Sequence, residues 1–222
     1  MRVDPSRSRG FSIVEILLVM MILAVVYSAG HALFVGGALS SNRLAGEGDR
    51  LVAALVEARQ RAVSRNLHVE VRFYHYLDPK RGNVSRFWAW EILEMGDNTF
   101  YLTIGGRRIL DSPVVLSEAP ELSPLLLDSS RVLQDGLNLD GFSEEMNCKY
   151  AVFRFEPDGS TDLPAWPADN EDEQWFVTLV RETDVPVPEP GAAPGDQDLV
   201  VPADFVAVQI DPLTGQVRTF RP

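Results

Sequence analysis

Arg7-Ser8-Arg9-Gly10-Phe11-Ser12-Ile13-Val14-Glu15-Ile16-Leu17-Leu18-Val19-Met20-Met21-Ile22-Leu23 is the stretch on which the fold turns. A short leader with Arg2, Arg7 and Arg9 against Asp4 ends at a small residue, Gly10. An apolar segment follows at once, interrupted by a lone carboxylate, Glu15. Positions 16–35 hold no formally charged residue, a run of 20. That length suffices to cross a bilayer as a helix.

Three interpretations fit this start. A secretory signal peptide has the basic leader and apolar centre, but its apolar run is about 7–15 residues and ends in a small-residue cleavage site. The run here is longer, and Glu15 falls in its first turn. A plain signal anchor accommodates the length and leaves Gly10 and Glu15 without a role. A charged residue near the centre of a membrane helix costs about 2.5–3.5 kcal/mol on insertion scales, and less near its end, so such residues are usually functional.

The third interpretation accounts for both residues. Gly10-Phe11, three further residues, Glu15 and then a long apolar helix resemble the class III signal of type IV prepilins and type II secretion pseudopilins. The resemblance implies cleavage between Gly10 and Phe11 by a membrane-embedded prepilin peptidase, and N-methylation of the new Phe11 amine. It also implies that Glu15 pairs with the N-terminal amine of a neighbouring subunit during assembly. Two opposite charges attract strongly in low dielectric, where either alone is penalised. The positive-inside rule keeps Arg2, Arg7 and Arg9 cytoplasmic and sends the C-terminal part across the membrane. The expected location is the inner membrane, single-pass, with a periplasmic head.

The remainder of the 222 residues is soluble in character. Hydrophobic residues make up 45% of the chain, enough for a packed core. Net charge is −12, and removal of the leader's three arginines and one aspartate takes it to −14. Such an acidic chain repels phosphates and is a poor general partner for nucleic acid. The single cysteine, Cys148, excludes an intrachain disulfide and reads as a buried apolar residue.

Beyond Ser40 the pattern becomes amphipathic. Leu44, Gly48, Leu51, Leu55, Ala58 and Ala62 recur at three- and four-residue spacings, opposite Arg43, Glu47, Asp49, Arg50, Glu57, Arg59 and Arg61. One long helix over about residues 12–65 is expected, flexed near Gly30, Gly36 and Gly37. The alternative is two helices, with Ser41 or Asn42 capping a fresh turn. The period then switches to two. Leu67, Val69, Val71 and Phe73 alternate with His68, Glu70, Arg72 and Tyr74, which predicts a half-buried strand. Turn residues at 78–83 and a returning strand at 87–93 complete a hairpin. Further strands are expected at 99–104, 114–117, 150–155, 175–180, 205–210 and 216–220, the last two flanking a tight turn at 211–215. Acidic, turn-rich loops are expected at 164–172 and, with Pro186, Pro188, Pro190 and Pro194, at 184–202.

This order gives an α+β fold, a long N-terminal helix packed on an antiparallel sheet. The expected divisions are a leader at 1–10, a transmembrane and assembly helix at 11–37, an amphipathic helix at 38–66 and a β-rich head at 67–222.

Two C-terminal stretches narrow the resemblance. Phe155-Glu156-Pro157-Asp158-Gly159-Ser160-Thr161 resembles the Phe-x-Pro-Asp-Gly-Ser/Thr turn of the general secretion pathway protein H family of minor pseudopilins. Val208-Gln209-Ile210-Asp211-Pro212-Leu213-Thr214-Gly215-Gln216-Val217-Arg218 resembles that family's closing hairpin, and Val114-Val115-Leu116-Ser117 one of its strands. The stretches 153–164 and 209–222 are most similar to the Verru/Chthon cassette protein D family, pilin-like proteins encoded in a four-gene cassette. The proline-rich loop departs from the usual protein H pattern.

No catalytic constellation stands out. His31, His68 and His75 match no zinc spacing, and Gly105-Gly106-Arg107 is too short for a phosphate loop. Asp169-Asn170-Glu171-Asp172 offers oxygen atoms without an EF-hand pattern. The expected protein is a non-enzymatic subunit without cofactor, catalytic residue or bound metal. Its partners are the prepilin peptidase, other pilins or pseudopilins, inner-membrane lipid and an assembly platform for a secretion pseudopilus or pilus. The competing class is a minor pilin that binds DNA, as some relatives do through basic C-terminal residues; Arg218 and Arg221 are the candidates here.

Overall fold

The computed structural model describes residues 13–35, 38–96, 101–128, 132–133, 142–143, 146–165, 174–185 and 202–222. It divides into two units, Met1–Leu39 and Ser40–Pro222. The first holds helix α1, Ile13–Val35. Helix α2 follows as Ala38–Arg65. The expected continuous helix is thus seen as two elements, with Gly36 and Gly37 between them outside the described residues.

In the second unit every residue of the apolar stripe on α2, from Leu44 through Leu51 and Leu55 to Ala62, is buried. The helix ends where Asn66 takes a left-handed φ of 52° and the Leu67 N–H donates to the Ala62 carbonyl at 3.2 Å. That is a Schellman stop with asparagine in place of the usual glycine. Ser41 does not cap the helix. It lies within α2, and its hydroxyl donates to Asp204 Oδ2 at 2.7 Å.

Among the described residues the sheet has nine antiparallel strands, in the order β5-β6-β1-β2-β4-β7-β8-β9, with β3 also on β2. They are β1 Val69–Asp78, β2 Val84–Met95, β3 Tyr101–Ile109, β4 Val114–Leu116, β5 Val132–Leu133, β6 Lys149–Phe155, β7 Phe176–Arg181, β8 Val206–Ile210 and β9 Val217–Phe220. One face carries the main core, where Val69, Val71, Phe73, Phe153, Phe155, Val177 and Val208 pack with the α2 stripe. Arg61 and Arg65 of α2 reach the buried Glu94 of β2 at 3.1 and 2.8 Å.

β1 corrects the expectation of a half-buried strand. It lies between β6 and β2, and Val69 through Tyr74 are buried on both faces. A second layer of Tyr74, Tyr76, Trp88, Val115, Cys148, Tyr150 and Val180, packed with Phe142, Met146, Val185 and Phe205, covers the far face. Polar residues survive there because they are paired. Glu70 accepts from Arg72 at 2.5 Å and Arg154 at 2.8 Å, and the Tyr74 hydroxyl donates to Glu91 at 2.7 Å. The register shifts between Tyr74 and His75, with Tyr74 opposite Ala89 and His75 opposite Phe87, so Trp88 bulges into this layer. The strand also extends past Tyr74 and takes in His75, while His68 precedes it.

Both expected turns form. Asp78 Oδ1 accepts from the Lys80 N–H at 2.9 Å and Gly82 takes a φ of 79°, closing a 3-10 turn over Pro79–Arg81. The short helix α3, Pro124–Leu127, and strand β5 were not expected from the sequence. The strand expected at 99–104 runs instead over Tyr101–Ile109. Most of the loops expected at 164–172 and 184–202, including 169–172, lies outside the described residues.

Candidate functional site

Glu15 lies in the first turn of α1. Gly10 and Phe11 lie outside the described residues. The apolar side chains described on α1 all face solvent, from 78% exposed at Ile13 to 48% at Val19. A helix that is apolar all round finds its place in a membrane or among partner helices. Among the described residues no helix is long and apolar enough to cross a membrane.

The two C-terminal motifs form a single structure. In the first turn Asp158 Oδ1 accepts from the Ser160 N–H and hydroxyl at 2.9 and 2.6 Å, while Gly159 takes a φ of 87°. These bonds hold the exposed Asp158 carboxyl below the usual aspartate range. In the second turn Asp211 Oδ1 accepts from the N–H groups of Leu213 and Thr214 at 3.0 and 2.9 Å, and Gly215 takes a φ of 61°. The Pro212 carbonyl accepts from the Thr161 N–H at 2.9 Å and hydroxyl at 3.1 Å.

Arg59 of α2 closes the assembly. Its Nε donates to the Gly159 carbonyl at 3.1 Å and the Thr214 carbonyl at 2.8 Å. The two glycines leave room for it. A Cβ on Gly159 would lie 3.1 Å from Val63 Cγ2 and 3.2 Å from Arg59 Nη2, and one on Gly215 would overlap the Gly159 carbonyl oxygen and lie 3.1 Å from Arg59 Nε. The sequence places Arg59 on the polar face of α2 and gives no sign of this role, because its acceptors are backbone carbonyls distant in the chain.

A second link lies nearer the start of α2. The buried Glu47 carboxylate accepts from Arg50 Nη1 at 2.5 Å and from Arg108 Nη2 at 3.1 Å, both through Oε1. Arg43 Nη1 donates to the Ser112 carbonyl at 2.8 Å. α2 is thereby fastened to the β3–β4 connection as well as to the C-terminal turns.

The remaining candidates are dispersed. Arg218 is exposed on β9, and Arg221 Nη2 donates to Asp49 Oδ1 of α2. His68 Nδ1 meets Glu156 Oε2 at 2.7 Å, well away from the half-buried His75, whose Nε2 lies 3.6 Å from Glu118 Oε1. Burial lowers the His75 pKa, with Lys149 and Arg86 adding to the effect, and burial raises that of Glu118. Cys148 is buried, and burial pushes its thiol up to about 12. No three potential metal ligands cluster among the described residues.

Residues 5–27 match the prokaryotic N-terminal methylation motif. Gly10, Phe11 and Glu15 all fall within that match. No curated protein matches the chain. Among solved structures, the minor pseudopilin EpsH from the type 2 secretion system of Vibrio cholerae is similar at 8% identity. The likeness covers 81% of this chain and 98% of that one, with a TM-score of 0.43.

Proposed function

We propose that the chain is a non-enzymatic, pilin-like assembly subunit of the minor pseudopilin kind, serving a type II secretion pseudopilus or a related fibre. The observation that carries the proposal is the methylation motif over residues 5–27 running into α1, with Glu15 in the first helical turn. A prepilin peptidase cuts between Gly10 and Phe11, and the Phe11 amine is methylated. α1 anchors the precursor in the inner membrane and later packs among the α1 helices of other subunits. The head, an antiparallel sheet carried on α2, faces the periplasm.

Glu15 supplies the assembly chemistry. An α-amine has an ordinary pKa of about 7.7–8.0 and is largely cationic near neutral pH. In an apolar helix bundle that charge needs an anion, and Glu15 needs a cation. Each is satisfied when the amine of one subunit meets the carboxylate of the next. Unprocessed chains lack this amine at the head of α1, so cleavage precedes assembly.

The test is co-purification of a Glu15→Ala variant with other prepilin-type proteins of the same cell, beside the parent chain. The variant should still be cleaved and inserted, but should be lost from the assembled fraction. Normal co-assembly would reject the charge pair. A Gly10→Val variant should accumulate uncut and fail to assemble for a different reason.

A further inference from the structure

We propose that α2 is keyed to the sheet in one register by two residues, Gly48 and Arg59, and that this keyed helix passes axial load from the N-terminal segment into the head through the C-terminal hairpin. Only the source of the load rests on the reading of the chain as an assembly subunit. The keying itself follows from geometry inside the second unit.

Gly48 is the steric key. A Cβ there would lie 2.5 Å from Val206 Cγ1 and 3.1 Å from Val206 Cβ, so the space does not hold even a methyl group. One turn to either side along the buried stripe stand Leu44 and Leu51. A slip of α2 by one turn, about 5.4 Å, would drive a leucine into that space.

Arg59 is the polar key. Its Nε serves two carbonyls from separate turns. A one-turn slip brings Leu55 or Val56 to its place in one direction, and Ala62 or Val63 in the other. None of them has a side-chain donor. Burial of the apolar stripe is non-directional and resists sliding weakly. A steric stop and two angle-dependent hydrogen bonds resist it directly.

Both keys engage one hairpin. Val206 begins β8, Thr214 lies in the β8–β9 turn, and Arg221, just beyond β9, donates to Asp49 between the two keys. The β8–β9 hairpin therefore grips α2 at three points, and β8 is tied through β7 to the rest of the sheet. A pull along α2 is met by the sheet through this hairpin.

The test uses the full chain in detergent micelles, with Arg59→Leu, Arg59→Lys and, as a control, Gln60→Leu. Hydrogen exchange of the amides at 159–161 and 213–216 should quicken about tenfold in Arg59→Leu, while β1 amides stay unchanged. Arg59→Lys keeps a charged donor and should recover part of the protection. Pulling between the N-terminus and a C-terminal tag should release α2 at lower force in Arg59→Leu and at the parent's force in Gln60→Leu. Unchanged exchange in Arg59→Leu would overturn the key. So would a release force that falls only in step with thermal stability, as in a Leu55→Val core variant. These readouts do not depend on fibre assembly, so a failed Glu15 experiment would leave them standing.

Discussion

α1 and α2 are both long helices, but they use their side chains in opposite ways. On α1 the described surface is apolar on every side and exposed. α2 buries one stripe and sends charged groups from its flanks into the head, with Arg43, Glu47, Arg59, Arg61 and Arg65 each meeting a partner there. The first arrangement is of the kind that a membrane or partner helices complete. The second arrangement is complete within the chain. An apolar helix surface adapts to any apolar neighbour, lipid or protein; a helix with placed charges fits one neighbour in one register.

The comparison is broken most directly by equal truncations in both helices. Leu55→Ala empties a fully buried site and should cost the head about 2–5 kcal/mol in denaturant unfolding. Leu17→Ala should leave that unfolding within about 0.5 kcal/mol, because Leu17 is 64% exposed on α1. A matching loss in Leu17→Ala would show that α1 belongs to the head's core.

Gly48→Ala is the next test. Alanine improves helix propensity by about 1 kcal/mol, but here its methyl meets Val206. Overpacking should win, with a net loss of about 1–2 kcal/mol. A stabilised variant would show that the space at Gly48 yields.

A smaller effect is set by pH at the neighbouring His75 and Glu118. His75 titrates below its ordinary value in the fold, so the unfolded chain takes up that proton first. Stability should therefore fall as pH drops below about 6.5. Glu118 titrates above its ordinary value, so the fold binds its proton more tightly, and that contribution is present at low pH and lost as pH rises. Glu118→Gln should raise the Tm at pH 8 and leave it nearly unchanged at pH 4. A variant equally affected at both pH values would place the cause elsewhere. Smallest of all is Arg221→Ala. It removes an exposed ion pair to Asp49 and should cost no more than about 1 kcal/mol by thermal unfolding.

Much of the fold was legible because period and turn chemistry agreed. The α2 stripe, the β1–β2 hairpin and the Asp211–Gly215 turn each carried a local rule that the structure keeps. β1 was misread for a physical reason. Glu70 and Arg72 look like a solvent face, yet they neutralise each other beneath a second layer. α3 has four residues and β5 two, too few for any periodicity. Of the candidate site, the place of Glu15 on an apolar helix was legible from its neighbours alone. Arg59 was not, since a backbone carbonyl 100 or 155 residues away leaves no mark on the sequence.

Mass spectrometry of the membrane-extracted protein decides whether the chain is cut before Phe11. The expected N-terminal peptide begins at Phe11 and carries one methyl group on its amine. A peptide in which Gly10 is still joined to Phe11, in protein taken from cells with an active prepilin peptidase, would contradict it.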